Sequence, residues 1–415
     1  MKNTIILLTA LLIIFSFTAC DDKEMGIFYS IEEERKVEDN KIENNASIGN
    51  MVLFGDNYYA AAGNLYTVNA ASNYAYYTDS NSEGTWSIET GLPADKLCMS
   101  VGEVNNSLYG VFFDRTDVSS DPSDLNADLY VKGVDGWTEY VPSGTDIPAD
   151  LKIEKLVALN DVGFVQAYTL DDSNTRNYAI YFFNGTNFSE LPTSTVDLTS
   201  GVSSEFDVAM DGDSDGDFEY WITYGTSLFT LTSADPANAT LILVEDTAIY
   251  SGTNATDDDS LMGIYHSDIF GALFLAKSDG TVYYRTDATV AEPSVIWTAV
   301  TDEVPTEPGD FIDFTFIGSD GTTIKEVLLV GSRNGYYEFE KVDGVSITET
   351  EFVLPEESAK QATYSTLDLR YAIVSSFFVH EISSGNKILF ALTMKNGLWS
   401  NIEYDDEVYR IWNIE

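Results

Sequence analysis

An aromatic or aliphatic residue followed by Ser or Thr recurs along this chain at nearly constant spacing. The pairs are Trp86-Ser87, Trp137-Thr138, Phe188-Ser189, Trp297-Thr298, Ile347-Thr348 and Trp399-Ser400. Successive pairs are separated by 51, 51, 109, 50 and 52 residues, so the double step leaves room for a seventh, degenerate copy at Ala239–Leu243. A fixed period of about 50 residues is typical of repeat architectures in which each unit stacks on the next.

Each unit can be divided into four short strands that are rich in β-branched and aromatic residues and end at turn residues. In unit two the predicted strands are Leu97–Glu103, Ser107–Asp114, Asp128–Lys132 and Trp137–Val141. Asn-Gly and Asp-Gly pairs, which tolerate the positive φ angles of tight hairpins, recur between such strands. No helical apolar period of useful length is present.

The first strands of the units are predicted to begin near Met51, Leu97, Ile153, Phe206, Leu261, Ile312 and Tyr364. Four strands repeated seven times predict an all-β fold, a seven-bladed β-propeller spanning residues 50–415. A two-domain all-β chain is the alternative, and the regular spacing through the midpoint argues against it. Either the strand-like Val408–Ile414 or the apolar patch Ile27–Ile31 is expected to help close the ring.

The first residues have the pattern of a targeting segment. Lys2 supplies a positive start, Ile5–Phe17 is an apolar stretch too short to span a bilayer, and Phe17-Thr18-Ala19-Cys20 follows. This pattern resembles the signal peptide and lipobox of a bacterial lipoprotein, with Phe in place of the usual Leu. The resemblance implies a signal peptide at 1–19, acylation of Cys20, an acidic tether at 20–49, and a lipid-anchored protein of the cell envelope, periplasmic or on the cell surface. The alternative is an ordinary secretory signal that happens to end at a Cys.

The charge of the chain excludes one large class of partner. Sixty-eight acidic and 21 basic residues give a formal net charge of −47, which would repel phosphate backbones and anionic headgroups. Nucleic-acid binding is therefore not expected, and membrane attachment would depend on the lipid at Cys20 rather than on a basic face. Without Cys20 only Cys98 remains, so no internal disulfide can form, and Cys98 is expected to be a buried small hydrophobe.

Some turns before the recurring aromatic residues resemble degenerate Asp-box repeats of the sialidase type. The best copy is Ser80-Asn81-Ser82-Glu83-Gly84-Thr85-Trp86, and Val134–Thr138 and Lys395–Ser400 keep only the Gly and the aromatic residue. Asp-boxes are structural turns, so the resemblance implies a propeller and no particular activity. None of the seven Arg residues lies in the Arg-Ile-Pro motif of sialidases.

The sharpest local motif lies between the first two predicted strands of unit four. Asp211-Gly212-Asp213-Ser214-Asp215-Gly216-Asp217-Phe218-Glu219 alternates carboxylates with small residues, a pattern that can surround one hard cation. It is similar to the calcium loops of integrin alpha-subunit propellers. By that resemblance the side chains of Asp211, Asp213, Asp215 and Glu219 and the carbonyl group of Asp217 would bind a structural Ca²⁺. The alternative is an acidic hairpin in a chain that is rich in Asp.

The sequence contains no clear catalytic constellation. His266 and His380 are the only histidines, too few for a three-His metal site, and no Ser, His and Asp order indicates a triad. A glycosidase needs two carboxylates at a controlled separation, which 68 acidic residues cannot reveal. The prediction is a non-catalytic, lipid-anchored propeller that binds a protein or glycan partner. A glycosidase-like enzyme and an envelope assembly scaffold are the alternatives.

Overall fold

A computed structural model describes residues 42, 46–78, 85–115, 127–142, 147–171, 175–192, 206–211, 218–233, 241–243, 260–286, 297–300, 304, 308–317, 323–355, 368–383, 386–403 and 410–415. These residues form seven antiparallel sheets, each made of four strands that follow one another in the chain. The strands are β1 (Asn50–Phe54), β2 (Asn57–Ala62), β3 (Asn64–Asn69), β4 (Ser87–Ile88), β5 (Lys96–Val104), β6 (Ser107–Asp114), β7 (Ala127–Gly133), β8 (Gly136–Glu139), β9 (Lys152–Leu159), β10 (Val162–Leu170), β11 (Arg176–Phe183), β12 (Phe188–Glu190), β13 (Phe206–Asp211), β14 (Phe218–Tyr224), β15 (Ser227–Ser233), β16 (Ile242–Leu243), β17 (Leu261–Ser267), β18 (Ala272–Lys277), β19 (Val282–Arg285), β20 (Thr298–Ala299), β21 (Phe311–Ile317), β22 (Thr323–Ser332), β23 (Gly335–Glu340), β24 (Phe352–Val353), β25 (Ile373–Ser383), β26 (Asn386–Met394), β27 (Leu398–Glu403) and β28 (Arg410–Ile414).

The seven sheets are the blades of a β-propeller, numbered one to seven in chain order. The first strand of each blade contacts the first strands of its two neighbours, and β25 contacts β1, so these strands form the inner wall of a closed ring. The predicted seven-bladed propeller is therefore confirmed. Six predicted strand starts lie within one residue of the observed ones.

The seventh predicted start is wrong. Tyr364 lies outside the described residues, and the first strand of blade seven begins only at Ile373. A 3₁₀ turn at Asp368–Tyr371 precedes this strand, and its Leu369 is fully buried against blades six and seven. Apolar residues before Ile373 are therefore buried in the core without forming a strand. The sequence pattern does not distinguish these two roles.

Packing between blades explains why the second strands are apolar on both sides. All six residues of β18 are buried, whereas both residues of β4 and of β20 are exposed at the outer edge of the ring. The buried apolar residues divide into seven clusters, and each cluster joins one pair of adjacent blades. The core of the propeller is thus a set of seven interfaces, as expected for stacked repeats.

The recurring aromatic residue has a defined place in these interfaces. In each blade a large apolar residue at or just before the fourth strand packs against the preceding blade; these residues are Trp86, Trp137, Phe188, Leu241, Trp297, Phe352 and Trp412. Two of the predicted pairs are therefore wrong. Ile347-Thr348 lies in a 3₁₀ turn before β24, and Trp399-Ser400 lies in β27, the third strand of blade seven. Both are apolar residues followed by a hydroxyl, so local sequence could not separate them from the true positions.

One α-helix is present among the described residues, where no helix was predicted. It is α1 (Ala70–Thr78), in the connection from β3 to β4. The Asn69 side-chain oxygen caps it by accepting a hydrogen bond from the Ser72 backbone N–H at 3.1 Å. The helix buries Ala70 and Asn73. Its apolar residues have little helical periodicity, so the sequence does not predict it. No helix in the described part of the chain is long and apolar enough to cross a membrane.

Among the described residues, blades seven and one each consist of four consecutive strands, so the ring closes there without an exchanged strand. The predicted Val408–Ile414 segment contributes β28, which pairs with β27 as the outer strand of blade seven, and Ile27–Ile31 lies outside the described residues. Glu415 follows β28 and reaches blade one, where its side-chain Oε2 accepts hydrogen bonds from Trp86 Nε1 at 2.7 Å and Asn73 Nδ2 at 2.9 Å. We call these three residues the seam contact.

A second polar contact, which is only partly buried, crosses the same interface. The Tyr58 hydroxyl and His380 Nδ1 lie 2.6 Å apart, and the Tyr58 ring stacks on Trp86 at 6.3 Å between centroids. Burial lowers the pKa of His380, so the imidazole favours its neutral form in this site. Closure of the ring thus depends on apolar packing with a few buried polar contacts.

Candidate functional site

One position near the start of each first strand is equivalent in all seven blades. We call these residues the inner belt; they are Asn50, Ser100, Lys155, Asp207, Gly263, Asp310 and Ser376. Each lies opposite the second strand of its own blade, as in the pairs Asn50↔Ala61 and Asp207↔Thr223. Because the first strands surround the axis, the inner belt is where a propeller of this kind gathers polar side chains at its centre.

In three blades the inner-belt side chain bonds to the backbone of the next blade. Asn50 Oδ1 accepts from Val101 N at 2.8 Å, Ser100 Oγ from Leu156 N at 3.3 Å, and Asp207 Oδ2 from Ile264 N at 3.0 Å. In every case the donor is the residue that follows the belt position of the neighbouring blade. A short polar side chain thus satisfies a backbone N–H that the sheet leaves without a strand partner.

A β-bulge recurs just before the inner belt. In blades two, three, five and seven one extra residue interrupts the pairing of the first strand with the second; these residues are Met99, Glu154, Met262 and Ser375. A bulge increases local twist and redirects the next side chain. The bulge is not needed for the contact with the next blade, since Asn50 and Asp207 make that contact from regularly paired strands.

Blades three and five depart from this pattern. Lys155 cannot accept a hydrogen bond, and its Nζ instead donates to the Phe206 carbonyl of blade four at 2.6 Å. Gly263 has no side chain, and Asp310 approaches the vacated space, since a Cβ atom on Gly263 would lie 3.4 Å from Asp310 Cα and 3.7 Å from its Oδ1. The two departures bring one cation and two carboxylates into the same part of the ring.

Asp310 is the most perturbed acid of the belt. Its Oδ1 accepts from the Phe311 N–H at 2.8 Å and its Oδ2 from Ser376 Oγ at 3.1 Å. Burial and, next, the negative charge of Asp207 together raise the pKa of Asp310 to about 7, against the opposing effects of the two hydrogen bonds and of Lys155. Two nearby carboxylates, one holding its proton near neutral pH, can act as an acid and base pair or share one proton.

A second polar group lies within blade three. Arg176 donates to Glu154 Oε1 at 3.1 Å and to the Tyr178 hydroxyl at 2.9 Å, and its guanidinium lies 4.5 Å from the centre of the Tyr168 ring. Burial raises the pKa of Glu154, although Arg176 and Tyr178 favour the carboxylate. These contacts hold the hairpin of β10 and β11 against β9 and give the group a structural role.

The predicted calcium loop falls at a strand connection of blade four, between its first two strands as expected. Asp211 ends β13 and pairs directly with Glu219 of β14, which is buried. Asp213, Asp215 and Asp217 lie outside the described residues. Among the residues that the structure describes, no group of three or more His, Cys, Asp or Glu could hold a metal ion. Calcium binding stays a prediction.

The other residues singled out from the sequence do not form one site. His266 and His380 lie in blades five and seven, and Cys98 is a buried free thiol, as predicted. Cys20 lies outside the described residues. The inner belt was not predicted, because its members vary among Asn, Ser, Lys, Asp and Gly. Its distance from the strand start also varies, from one residue before the strand for Asp310 to four residues after the start for Ser100, so the sequence carries no regular signal for it.

Comparison with known proteins adds only distant likenesses of fold. No protein-family model matches this chain, and no curated protein matches it. It is similar to YCF48 from Cyanidioschyzon merolae, at 10% identity over 87% of this chain and 97% of that one, with a TM-score of 0.47. It is also similar to the structure described as BBS1N in complex with ARL6DN, at 12% identity over 87% and 92% of the two chains, with a TM-score of 0.45. The complex of KlAtg21 with the coiled-coil of AgAtg16 matches at 10% identity over 88% and 98%, with a TM-score of 0.43.

Proposed function

We propose that this chain is a lipid-anchored propeller of the cell envelope that binds a protein or glycan partner without catalysis. The supporting observation is the use of the inner belt. Asn50, Ser100 and Asp207 each bond to the backbone of a neighbouring blade, and Lys155 does the same through its ammonium group. Polar side chains that could face a substrate at the ring centre are instead engaged in joining the blades.

The net charge of −47 narrows the kind of partner. A strongly acidic surface accelerates association with basic surfaces and disfavours anionic ones. A neutral glycan or a protein with a basic patch fits this charge. An envelope assembly scaffold would be a binding propeller of the same kind, with a partner that stays permanently bound.

Binding is tested by titrating the purified protein against fractionated envelope proteins and a glycan array. We expect saturable binding to one ligand that persists in about 1 M NaCl, where the Debye length falls to about 3 Å. Salt should weaken binding to a basic protein without abolishing it and leave binding to a neutral glycan unchanged, whereas attraction that never saturates and disappears in salt would be non-specific. Absence of saturable binding to either class would contradict the proposal.

The anchor is tested separately through the two cysteines of the chain. Cys20→Ser should abolish labelling by a radioactive fatty acid and release the protein from the membrane fraction, because acylation requires that sulfur. Cys98→Ser is the matched control, since Cys98 is buried in the propeller and should keep both label and location. Equal labelling of the two variants would rule out the anchor.

An enzyme on the same scaffold is the second candidate, and the Asp207 and Asp310 pair is the observation that favours it. In that case Asp310 would act as the general acid and Asp207 as the base or nucleophile, as in glycoside hydrolysis. Hydrolysis of chromogenic glycosides that is lost in Asp310→Asn would support the enzyme. If the wild-type chain hydrolysed none of these substrates, the glycosidase would be excluded and the binding function would be favoured.

Calcium is proposed as a structural ion of the loop between β13 and β14. The loop fits because its ends, Asp211 and Glu219, are held opposite each other by strand pairing. We expect Ca²⁺ at about a hundred times its Kd to add about 2.7 kcal/mol to the free energy of unfolding. Thermal unfolding with and without Ca²⁺ measures this, with equal Mg²⁺ correcting for ionic strength.

The calcium variant is Asp213→Asn with Asp215→Asn, which should lose the stabilisation. Asp257→Asn with Asp259→Asn is the matched control, because it removes two charges from another acidic run and should keep the response. Stabilisation of equal size in both variants would mean that Ca²⁺ acts on the general surface charge.

A further inference from the structure

The carboxylates of Asp207 and Asp310 converge on two consecutive residues of blade five. Asp207, from blade four, accepts a hydrogen bond from the Ile264 N–H at 3.0 Å. Asp310, from blade six, lies against Gly263, whose missing Cβ would be 3.7 Å from Asp310 Oδ1. A Cβ atom on Gly263 would also lie 3.3 Å from the Gly309 carbonyl oxygen, so blade six packs closely on this glycine. The two acids are therefore placed against neighbouring backbone positions of blade five.

Asp310 also joins blade six to blade seven. Its backbone N–H donates to the Ser375 carbonyl at 3.0 Å, and its Oδ2 accepts from Ser376 Oγ at 3.1 Å. Together the contacts of the two acids connect blades four, five, six and seven at one level of the inner wall. We call this pair and its contacts the clasp.

The charges that face the clasp come from three strands. Lys155 of β9 is the cation in range of Asp310, and its ammonium group is already bonded to the Phe206 carbonyl. Asp207 of β13 is the second carboxylate, and Tyr265 of β17 is the third titratable group within electrostatic range of Asp310. One partly committed cation therefore faces two partly buried acids, which favours a state in which one of them keeps its proton.

We propose that the clasp is a pH-sensitive junction: with one proton held by the Asp207 and Asp310 pair it joins blades four to seven tightly, and loss of that proton loosens the inner wall. The pair needs no ligand for this, since the proton removes the repulsion between two carboxylates that the backbone holds together.

The direction of the pH effect follows from the pKa of Asp310, which rises from an ordinary 3.8 to about 7 in the folded chain. When folding raises the pKa of a carboxyl group, the protonated group contributes its full stabilisation at pH values below its pKa in the unfolded chain. That contribution decreases as the pH rises from 3.8 and is lost above 7. The clasp is therefore tightest in acid and weakest in mildly alkaline solution.

Amide hydrogen exchange of the full chain from about pH 5 to about pH 9 tests the proposal, because it reports on local opening. After correction for intrinsic chemistry, the amides of Ile264 and Phe311 should exchange about tenfold faster or more above the titration than below it. Amides of blades one and two, such as Val101, provide the internal reference. In Asp310→Asn, which keeps an acceptor oxygen and cannot ionise, the acceleration should vanish. Asp343→Asn, on an exposed loop of blade six, should behave as wild type.

A second measurement does not depend on the stability of that variant. Carbon-13 NMR of the aspartate carboxyl groups should show one resonance that titrates near pH 7 in the wild-type chain and at lower pH in Asp207→Asn. A titration midpoint below about 5 for the wild-type resonance, or exchange that is equally pH-dependent in Asp310→Asn, would overturn the proposal.

Discussion

The Gly309→Ala variant is expected to lose about 3 kcal/mol of its free energy of unfolding, at the upper end of the cost of overpacking a core. A Cβ atom on Gly309 would lie 2.6 Å from the Val374 carbonyl oxygen and 2.8 Å from that of Ser375. Both are backbone atoms of the first strand of blade seven. They cannot turn aside as a side chain could, so blades six and seven would have to separate.

The hydrogen bonds around Gly309 add to this cost. Its N–H donates to the Gly331 carbonyl at 2.7 Å, and the neighbouring Asp310 N–H donates to the Ser375 carbonyl. Moving the two blades apart would stretch the second of these bonds and disturb the clasp. Urea unfolding followed by tryptophan fluorescence measures the loss through the shift in midpoint.

A control at another glycine separates steric contact from the general effect of replacing glycine. Gly55 lies in a turn with a φ of +59° and has no atom within 4 Å of a Cβ position. Gly55→Asn should change the free energy of unfolding by less than about 1 kcal/mol, because Asn tolerates this conformation. Similar losses at Gly309 and Gly55 would show that the close approach of blades six and seven is not rigid.

Trp86→Ala should destabilise the chain by about 4 kcal/mol, because it removes a fully buried indole from the interface of blades seven and one. It also removes one of the two side-chain donors that the seam contact directs at the Glu415 carboxylate, the other being Asn73. Trp86→Phe keeps most of the volume and removes the donor, and should cost about 2 kcal/mol, the value of a hydrogen bond to a charged group.

Trp297 is the matched control at the equivalent position of blade five. It is also fully buried, but its Nε1 has no hydrogen-bond partner among the residues that the structure describes. Trp297→Phe should therefore cost clearly less than Trp86→Phe, while the two Ala variants should be similar. Equal costs of the two Phe variants would mean that the bond to Glu415 contributes nothing to closure of the ring.

Repetition is what made this fold accessible from sequence. Six of the seven predicted strand starts lie within one residue of the observed ones, since every blade has the same four-strand pattern and several hairpins use Asn-Gly or Asp-Gly turns. Errors arose where local sequence imitated the repeat. Trp399-Ser400 has the right residues in the third strand, whereas Trp412 occupies the equivalent interface position without a following Ser or Thr.

The candidate site could not be predicted from the sequence, for a physical reason. Asn50, Lys155 and Asp310 share one position in the ring but share no chemistry, so no motif marks them. The coupling of Asp207 to Asp310 arises because blades four, five and six meet at one level of the ring, where both acids lie against Gly263 and Ile264 of blade five. Among 68 acidic residues, only the tertiary arrangement distinguishes this pair.

The sequence by itself determined that the chain repeats about every 50 residues in four short strands, because strand periodicity and turn chemistry are local properties. Tertiary structure alone decided which residues face the next blade, how the last blade meets the first, and where Asp207 comes close enough to Asp310 to raise its pKa. Those properties depend on contacts between residues roughly 50 to 340 positions apart, whose registry is set by packing rather than by any nearby residue.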